Sequence, residues 1–394
     1  MPLNYLEYLF DNGIGSIPHY SQILKWLPYV LLAIAVKLWF RGPKNTWERD
    51  LHGRVIMITG GTSGIGAAIA REVASKGAQL VLLVKDVSDG WLIEYIEDLR
   101  ASSGNELIYA EACDLSSLHS IRIFATKWLD NVSPRRLDML VCCAAIFSPP
   151  TRPEKITLDG FEQHWGVNYI GHYQLLRLLS PALKSQPAHR DVRVVMATCA
   201  SYAAAELDLE DTNYEKRKYP EMAPWKAYGA SKLALMMICK HLQEKFDKFE
   251  RPDKGLNNVR CFLVNPGQVR TPLTRRFTSL GTIWGLLIYL LLYPLWFLVW
   301  KDSDRGMQTF LHVMYSPDCG EGKGNRYFRD CSEAKVARKE VLDDELIRKL
   351  VTLSEKQISA AEKKAAQARA NEKTTESTPK PSNSEVGSNR KKAT

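Results

Sequence analysis

From residue 53 onward, short apolar segments alternate with segments of helical periodicity. The β-branched run "GRVIMITG" (53–60), for example, is followed by the helical pattern "GAAIAREVASKGA" (66–78). Regular alternation of this kind predicts a parallel sheet with helices on both faces, a doubly wound α/β fold. Such sheets bind ligands at the carboxyl ends of their strands. The predicted strands are 53–60, 79–85, 106–115, 137–145, 191–199 and 257–267.

The junction between the first predicted strand and the first helix is rich in glycine. It reads Thr59-Gly60-Gly61-Thr62-Ser63-Gly64-Ile65-Gly66. Glycines let the backbone turn tightly and approach a pyrophosphate, whose charge the amino-terminal end of the helix stabilises. A tight turn without a ligand is the alternative, but the strand–turn–helix setting favours a dinucleotide site in a Rossmann-type fold. The candidate binding residues are Gly60, Thr62, Ser63, Gly64 and Gly66.

Tyr228 and Lys232, in "YGASK" (228–232), are spaced for acid–base chemistry. Residues four apart share one face of a helix. A phenol is a poor acid or base at neutral pH, but a neighbouring ammonium group lowers its pKa. Tyr228 could then protonate a carbonyl or deprotonate an alcohol.

Together these motifs resemble the short-chain dehydrogenase/reductase family over about residues 51–355, apart from an apolar insertion at 281–300. Similar motifs continue in "CDLSS" (113–117), "VNYIGHY" (167–173) and "NPGQVRT" (265–271). The segments "LDLEDTNYEKRKY" and "NRYFRDC…DDELIRKLVTLSEK" are most similar to the retinol-dehydrogenase-like branch.

The resemblance implies NAD(P)-dependent interconversion of an alcohol and a carbonyl. It implies that Lys232 also holds the nicotinamide ribose and that Asn168 holds a water that relays protons. It further places Ile65, Asp114 and Thr271 near the cofactor.

The cofactor preference is read from the end of the second strand. An NAD-dependent enzyme carries an acid there, whereas this chain has Val84 followed by Lys85. A cation suits a 2′-phosphate, so NADP(H) is favoured over NAD(H), although Asp86 one residue later weakens the case. The alternative is that Lys85 is simply a solvated strand end.

The family's substrate-orienting serine is replaced. Counting six residues from Arg193 places Cys199 at that position, and a thiol is a weak hydrogen-bond donor. Because strand side chains alternate faces, we expect Thr198 to point away and Ser201 to share the face of Cys199 if the strand continues.

A second departure lies at the end of the fourth strand, where Cys142 and Cys143 replace the family's paired asparagines. Two hypotheses follow. The chain is either an active dehydrogenase with Tyr228, Lys232, Asn168, Cys199 and Ser201 as candidate catalytic residues, or a non-catalytic NADP-binding membrane scaffold or redox sensor.

Residues 1–50 are predicted to form a luminal stretch and an uncleaved membrane anchor, with the apolar run at 26–40. Basic residues follow this run, unlike in a signal peptide, which places the catalytic domain in the cytosol. The alternative is an amphipathic helix that packs on the domain.

The segment "GTIWGLLIYLLLYPLWFLVW" (281–300) has no charged residue. A single crossing would put parts of one sheet on opposite sides of a membrane, whereas Pro294 permits a bent, re-entrant or in-plane helix. Arg275 and Arg276 would then meet lipid phosphates. The alternative is an exposed helix that pairs with a second subunit as a homodimer.

Membrane contact at this segment favours a lipophilic substrate of the retinoid, polyprenoid, steroid or fatty-chain class. The endoplasmic reticulum and the lipid droplet both fit this organisation. Much of the net charge of +9 lies in a basic tail, 356–394, which is predicted to begin as a frayed helix of Ala, Lys and Glu and to continue as a disordered polar segment. Without an aromatic and arginine-rich module, nucleic acid is not predicted, and the scattered cysteines and histidines predict no metal site.

Overall fold

The computed structural model describes residues 19–130, 135–147, 156–221 and 223–376. In these residues one sheet has the strand order β3-β2-β1-β4-β5-β6-β7-β8, parallel throughout except for β8, which runs antiparallel to β7. The strands are β1 (Val55–Thr59), β2 (Gln79–Val84), β3 (Ile108–Ala112), β4 (Met139–Cys142), β5 (Val192–Ala197), β6 (Val259–Asn265), β7 (Arg326–Arg329) and β8 (Ser332–Glu333).

The helices before β6 include one π-helical segment (His164–Gly171) and one 3₁₀ turn (Ala200–Ala204). The α-helices of this part are α1 (Tyr20–Arg41), α2 (Gly64–Ser75), α3 (Gly90–Ser103), α4 (Leu118–Leu129), α5 (His172–Lys184) and α6 (Trp225–Asp247). After β6 follow α7 (Pro272–Ser279), α8 (Ile283–Leu291), α9 (Tyr293–Val299), α10 (Ser303–Gly306), α11 (Gln308–Tyr315), α12 (Pro317–Glu321), a 3₁₀ turn (Lys339–Leu342) and α13 (Asp344–Glu376).

The predicted doubly wound α/β fold is confirmed, and all six predicted strands are present. Along β1, Val55 and Met57 pack into the core on one face of the sheet, and Ile56 and Ile58 into the core on the other. Because successive side chains of a strand point to opposite faces, a strand buried on both sides needs the continuous apolar run seen in the sequence.

The N-terminal apolar run forms part of a longer helix than the sequence predicts. Within the described residues, Ser21–Arg41 is the one helix long and apolar enough to cross a membrane, with a mean hydropathy of 1.7 and none of it buried. At about 1.5 Å per residue, a helix of this length spans roughly 30 Å. The proposed luminal stretch before residue 19 lies outside the described residues.

The second apolar segment forms two short helices, α8 and α9, that meet at Leu292. Pro294 lies in the first turn of α9, where its missing N–H costs no helical hydrogen bond. Helix α9 packs against α1, so the two apolar segments lie together.

The last helix, α13, runs past the predicted domain boundary at residue 355. Helix α13 continues to Glu376, Ile358 is fully buried, and Glu362 pairs with Arg122 at 2.5 Å. The Ala, Lys and Glu content of this segment favours a helix, and one face of that helix packs on α4 and α6. Residues 377–394, the rest of the predicted tail, lie outside the described residues.

Candidate active site

The glycine-rich loop between β1 and α2 has a backbone conformation that other residues rarely adopt. Gly60 and Gly64 have φ angles of +68° and +54°. A Cβ atom on Gly66 would lie 2.1 Å from the carbonyl oxygen of Gly60. The loop therefore turns tightly at the amino-terminal end of α2, where the backbone suits the phosphates of a dinucleotide.

Thr271 lies beside this loop, since a Cβ atom on Gly64 would be 3.1 Å from its Cγ2 atom. Ile65 and Thr271 also line one cavity. Thr62 and Ser63 lie in the turn before α2, with Ser63 at its amino-terminal cap. The structure thus brings the predicted loop residues and Thr271 to one edge of the sheet.

Lys85 and Asp114 follow β2 and β3, which are neighbouring strands in the sheet. The Lys85 ammonium lies 3.6 Å from a carboxylate oxygen of Asp114, and its side chain is 80% exposed. Asp114 also accepts hydrogen bonds from the amide and the hydroxyl of Ser116. An exposed ammonium at this edge fits a 2′-phosphate, and the carboxylate beside it fits neighbouring hydroxyl or amino groups.

Tyr228 and Lys232 lie one turn apart on α6, and both are buried. They line a cavity of about 270 Å³ together with Cys199 and Ser201. The ammonium group of Lys232 donates a hydrogen bond to the carbonyl oxygen of Ala197, the last residue of β5, at 3.0 Å. Helix α6 and the end of β5 therefore place the predicted catalytic groups in one cavity.

The chain after β5 differs from the sequence-based expectation. The strand ends at Ala197, and a 3₁₀ turn begins at Ala200, so the strand does not continue to Ser201. Cys199 and Ser201 nevertheless both line the cavity. Thr198 lines it too, is only 3% exposed, and its hydroxyl has no hydrogen-bond partner among the described residues.

The electrostatics of the pair also differ from the expectation that Lys232 lowers the pKa of Tyr228. Burial raises the pKa of Tyr228 well above its ordinary value of 10, and the nearby Cys199 adds to this effect. Burial lowers the pKa of Lys232. The phenol is therefore protonated at neutral pH.

Asn168 lies in the π-helical segment before α5 and is fully buried. Its side chain accepts a hydrogen bond from the Ile146 amide at 2.8 Å and donates to the Ile146 carbonyl at 3.1 Å. It also donates to the hydroxyl of Ser231, the residue before Lys232, at 3.3 Å. Asn168 thus lies behind the cavity wall, and the π-helix is an irregularity typical of functional sites.

The backbone just after β4 is held by a residue that the sequence did not single out. The hydroxyl oxygen of Thr59 accepts hydrogen bonds from the amides of Cys143 and Ala144 at 3.0 and 3.1 Å. Burial raises the pKa of Cys142 to about 12 and that of Cys143 to about 11. Both are therefore neutral thiols at physiological pH.

The aromatic wall of the cavity was also missed. It is formed by Phe147, Phe277 and Trp300. The ring centroids of Phe147 and Phe277 are 4.8 Å apart, and Phe147 contacts Tyr228 edge-on at 5.8 Å. No spacing in the sequence links these residues, which come from three separate segments.

Comparison with known proteins agrees with this architecture. The family model of short chain dehydrogenases matches residues 54–204. An uncharacterized oxidoreductase of Schizosaccharomyces pombe is 43% identical, over 89% of this chain and 95% of the relative. Polyprenol dehydrogenase of Mus musculus is 35% identical (76% and 82%), and retinol dehydrogenase 12 of Mus musculus is 31% identical (78% and 87%).

A crystal structure of an uncharacterized protein from Mycobacterium Paratuberculosis superposes with a TM-score of 0.57, at 26% identity, over 81% of this chain and 98% of that one. The fold and the glycine loop are those of nicotinamide-dependent oxidoreductases. This chain belongs to the short-chain dehydrogenase/reductase family, and retinol dehydrogenases are among its relatives.

Proposed function

We propose that this protein is a membrane-associated, NADP(H)-dependent oxidoreductase that interconverts an alcohol and a carbonyl on a lipophilic substrate. The observation that supports the proposal is that one cavity holds both the candidate catalytic residues and the aromatic ones. Tyr228, Lys232 and Cys199 line it together with Phe277 and Trp300. A polar reaction site next to an aromatic wall suits a small oxygen function on a large apolar body.

In the proposed cofactor site, the backbone of residues 60–66 and Thr271 hold the phosphates. Lys85 pairs with the 2′-phosphate, and Lys232 holds the nicotinamide ribose. When bound, the cofactor donates or accepts a hydride at the carbon that carries the substrate oxygen.

Tyr228 is the proposed acid and base. In reduction, its phenolic hydroxyl gives a proton to the carbonyl oxygen, and the ammonium of Lys232 stabilises the phenolate that remains. Cys199, with Ser201 nearby, orients the substrate oxygen, and Asn168 holds the water through which Tyr228 regains its proton. In oxidation the same proton moves in the opposite direction.

The membrane setting supports the substrate class. Side chains of α1 and α8, including Trp39, Ile283 and Trp284, are strongly exposed. Trp300 ends the same apolar segment and lines the cavity, so a lipid-soluble substrate can enter from the bilayer. Among the proposed classes (retinoid, polyprenoid, steroid and fatty-chain), the polyprenol and retinol dehydrogenases among the relatives support the retinoid and polyprenoid ones.

We place the catalytic domain on the cytosolic side, because basic residues such as Arg41, Lys44 and Arg49 follow α1. The proposed locations are the endoplasmic reticulum and the lipid droplet. Imaging a tagged full-length protein before and after lipid loading separates the two.

A second candidate is a non-catalytic NADP-binding scaffold or redox sensor. It is favoured by Cys199 at the serine position and by the Cys142-Cys143 pair in place of two asparagines. A non-catalytic role leaves unexplained why Tyr228 and Lys232 line the same cavity.

The test is turnover by the full-length protein in lipid nanodiscs, with NADPH or NADH and a panel of lipophilic carbonyl compounds. The proposal predicts cofactor oxidation with at least one class of lipid carbonyl and a preference for NADPH. Intact NADPH binding with no turnover across the panel would establish the second candidate instead.

A further inference from the structure

A lysine of the N-terminal helix forms hydrogen bonds to the second apolar segment. Lys37, on α1, donates hydrogen bonds to the carbonyl oxygens of Phe297 and Trp300, the latter at 3.4 Å. Its ammonium also lies 4.5 Å from the centroid of the Phe297 ring. The last carbonyls of a helix have no intrahelical partner, so an ammonium group at the end of α9 satisfies them.

Lys37 interrupts an apolar helix, where an ammonium group without acceptors is costly. Its contacts with α9 supply those acceptors. The cation therefore has defined acceptors at the end of α9.

Trp300 connects the hydrogen bonds of Lys37 to the cavity. It is buried and forms part of the cavity wall. Its ring stacks on Trp296 at 4.6 Å, and Trp296 stacks on Tyr289 of α8 at 6.5 Å. A column of three rings thus runs from the exposed apolar segment to the cavity.

The other side of Trp300 is fixed to the catalytic domain. The next residue, Lys301, donates its amide to the carbonyl of Gln268 at 3.0 Å and accepts from the amide of Arg270 at 2.8 Å. Gln268 also lines the cavity. Trp300 is therefore held between the loop after β6 and the ammonium of Lys37.

We propose that Lys37 is a positioning residue that makes the N-terminal helix part of the substrate site. By holding the end of α9, it keeps Trp300 in the cavity wall and so sets the affinity for long lipophilic substrates. It does not take part in proton transfer at Tyr228. The inference rests on the proposed function for its substrate class.

The test compares Lys37→Met, which keeps the length of the side chain but removes the ammonium, with Lys37→Arg and with Lys25→Met. Lys25 is an exposed lysine on the same helix, about 18 Å away along its axis. Full-length proteins in nanodiscs are assayed with a long-chain carbonyl and with a short water-soluble one.

We expect Lys37→Met to raise KM for the long-chain substrate by about tenfold, the scale of one lost charge-assisted hydrogen bond. The kcat, the KM for NADPH and the KM for the short substrate should stay within about twofold of the wild-type values. Lys37→Arg should restore the long-chain KM, and Lys25→Met should leave it unchanged. An unchanged KM in Lys37→Met, or an equal rise for both substrates, would overturn the inference.

Hydrogen exchange in the same nanodiscs separates this inference from the proposed function, because it needs no turnover. We expect Lys37→Met to speed exchange at the amides of residues 296–301 and to leave α6 unchanged. Unchanged exchange at 296–301 would overturn the link between the two segments. Faster exchange with no turnover by the wild type would overturn the proposed function and reduce Lys37 to a structural contact.

Discussion

Cys199 and Tyr228 line the same cavity, and the nearby thiol adds to the burial that raises the pKa of the phenol. In the family that the chain belongs to, a serine normally stands at the position of Cys199. The substituted side chain therefore lies beside the proposed acid and base, and the substitution weakens the hydrogen bond that this position can donate.

Replacing this thiol by a hydroxyl should make the enzyme faster. We expect Cys199→Ser to raise kcat on the order of tenfold, because a hydroxyl is a stronger donor to the developing negative charge on the substrate oxygen. The measurement is steady-state reduction of a lipophilic carbonyl with NADPH. Cys331→Ser, at a half-buried cysteine that does not line the cavity, is the matched control. A fall in kcat would show that the thiol, or Ser201, already performs the role.

The raised pKa of Tyr228 predicts opposite pH profiles for the two directions. The proton-donating form is present at all pH values below the pKa and is lost only as the pH rises through it. Carbonyl reduction should therefore be nearly independent of pH between about 6 and 9, whereas alcohol oxidation should rise about tenfold per unit because it needs the phenolate. An inflection near neutral pH in the reductive kcat would contradict a protonated phenol.

The cofactor preference should depend on Lys85. We expect Lys85→Ala to weaken NADPH binding by about tenfold, the effect of one lost charge-assisted contact, and to change NADH binding by less than about twofold. Fluorescence titration measures both dissociation constants. Lys248→Ala, at an exposed lysine just after α6, is the control. An equal loss for the two cofactors would remove Lys85 from the 2′-phosphate site.

The burial of His172 predicts that the folded protein loses stability at acidic pH. It is fully buried beside the hydroxyl of Thr59, at 3.2 Å, and burial, followed by the charge of Lys232, lowers its pKa from 6.5 to about 3. Below pH 6.5 the unfolded chain takes up a proton that the folded chain does not, so stability falls as the pH decreases from 6.5 toward 3.

The free energy of unfolding at pH 5 should therefore fall by about 2 kcal/mol more, relative to pH 7.5, in the wild type than in His172→Gln. Urea unfolding at the two pH values measures the difference. Equal losses in both proteins would show that His172 does not cause the acid sensitivity.

The sequence predicted the parts of this structure that depend on local patterns. A strand buried on both faces needs a continuous apolar run, and the runs at 53–60 and 191–199 became β1 and β5. The four-residue interval between Tyr228 and Lys232 was enough to place both on one face of α6.

The features that the sequence did not predict depend on contacts between segments that are distant along the chain. Pro294 indicated that 281–300 could bend, but no local pattern gives the bridge between Val269 and Lys301, next to Trp300 in the cavity wall. The π-helix around Asn168 likewise depends on its hydrogen bonds to Ile146 and Ser231 rather than on any sequence period.

The central claim is that Tyr228 transfers a proton to a lipophilic carbonyl in the cavity it shares with Lys232 and Cys199. The most direct test is the single-turnover rate of NADPH oxidation by the wild type and by Tyr228→Phe, with the NADPH dissociation constant measured in parallel. We predict a loss of at least about 10²-fold in rate with NADPH affinity unchanged. Equal rates in the two proteins would contradict the account.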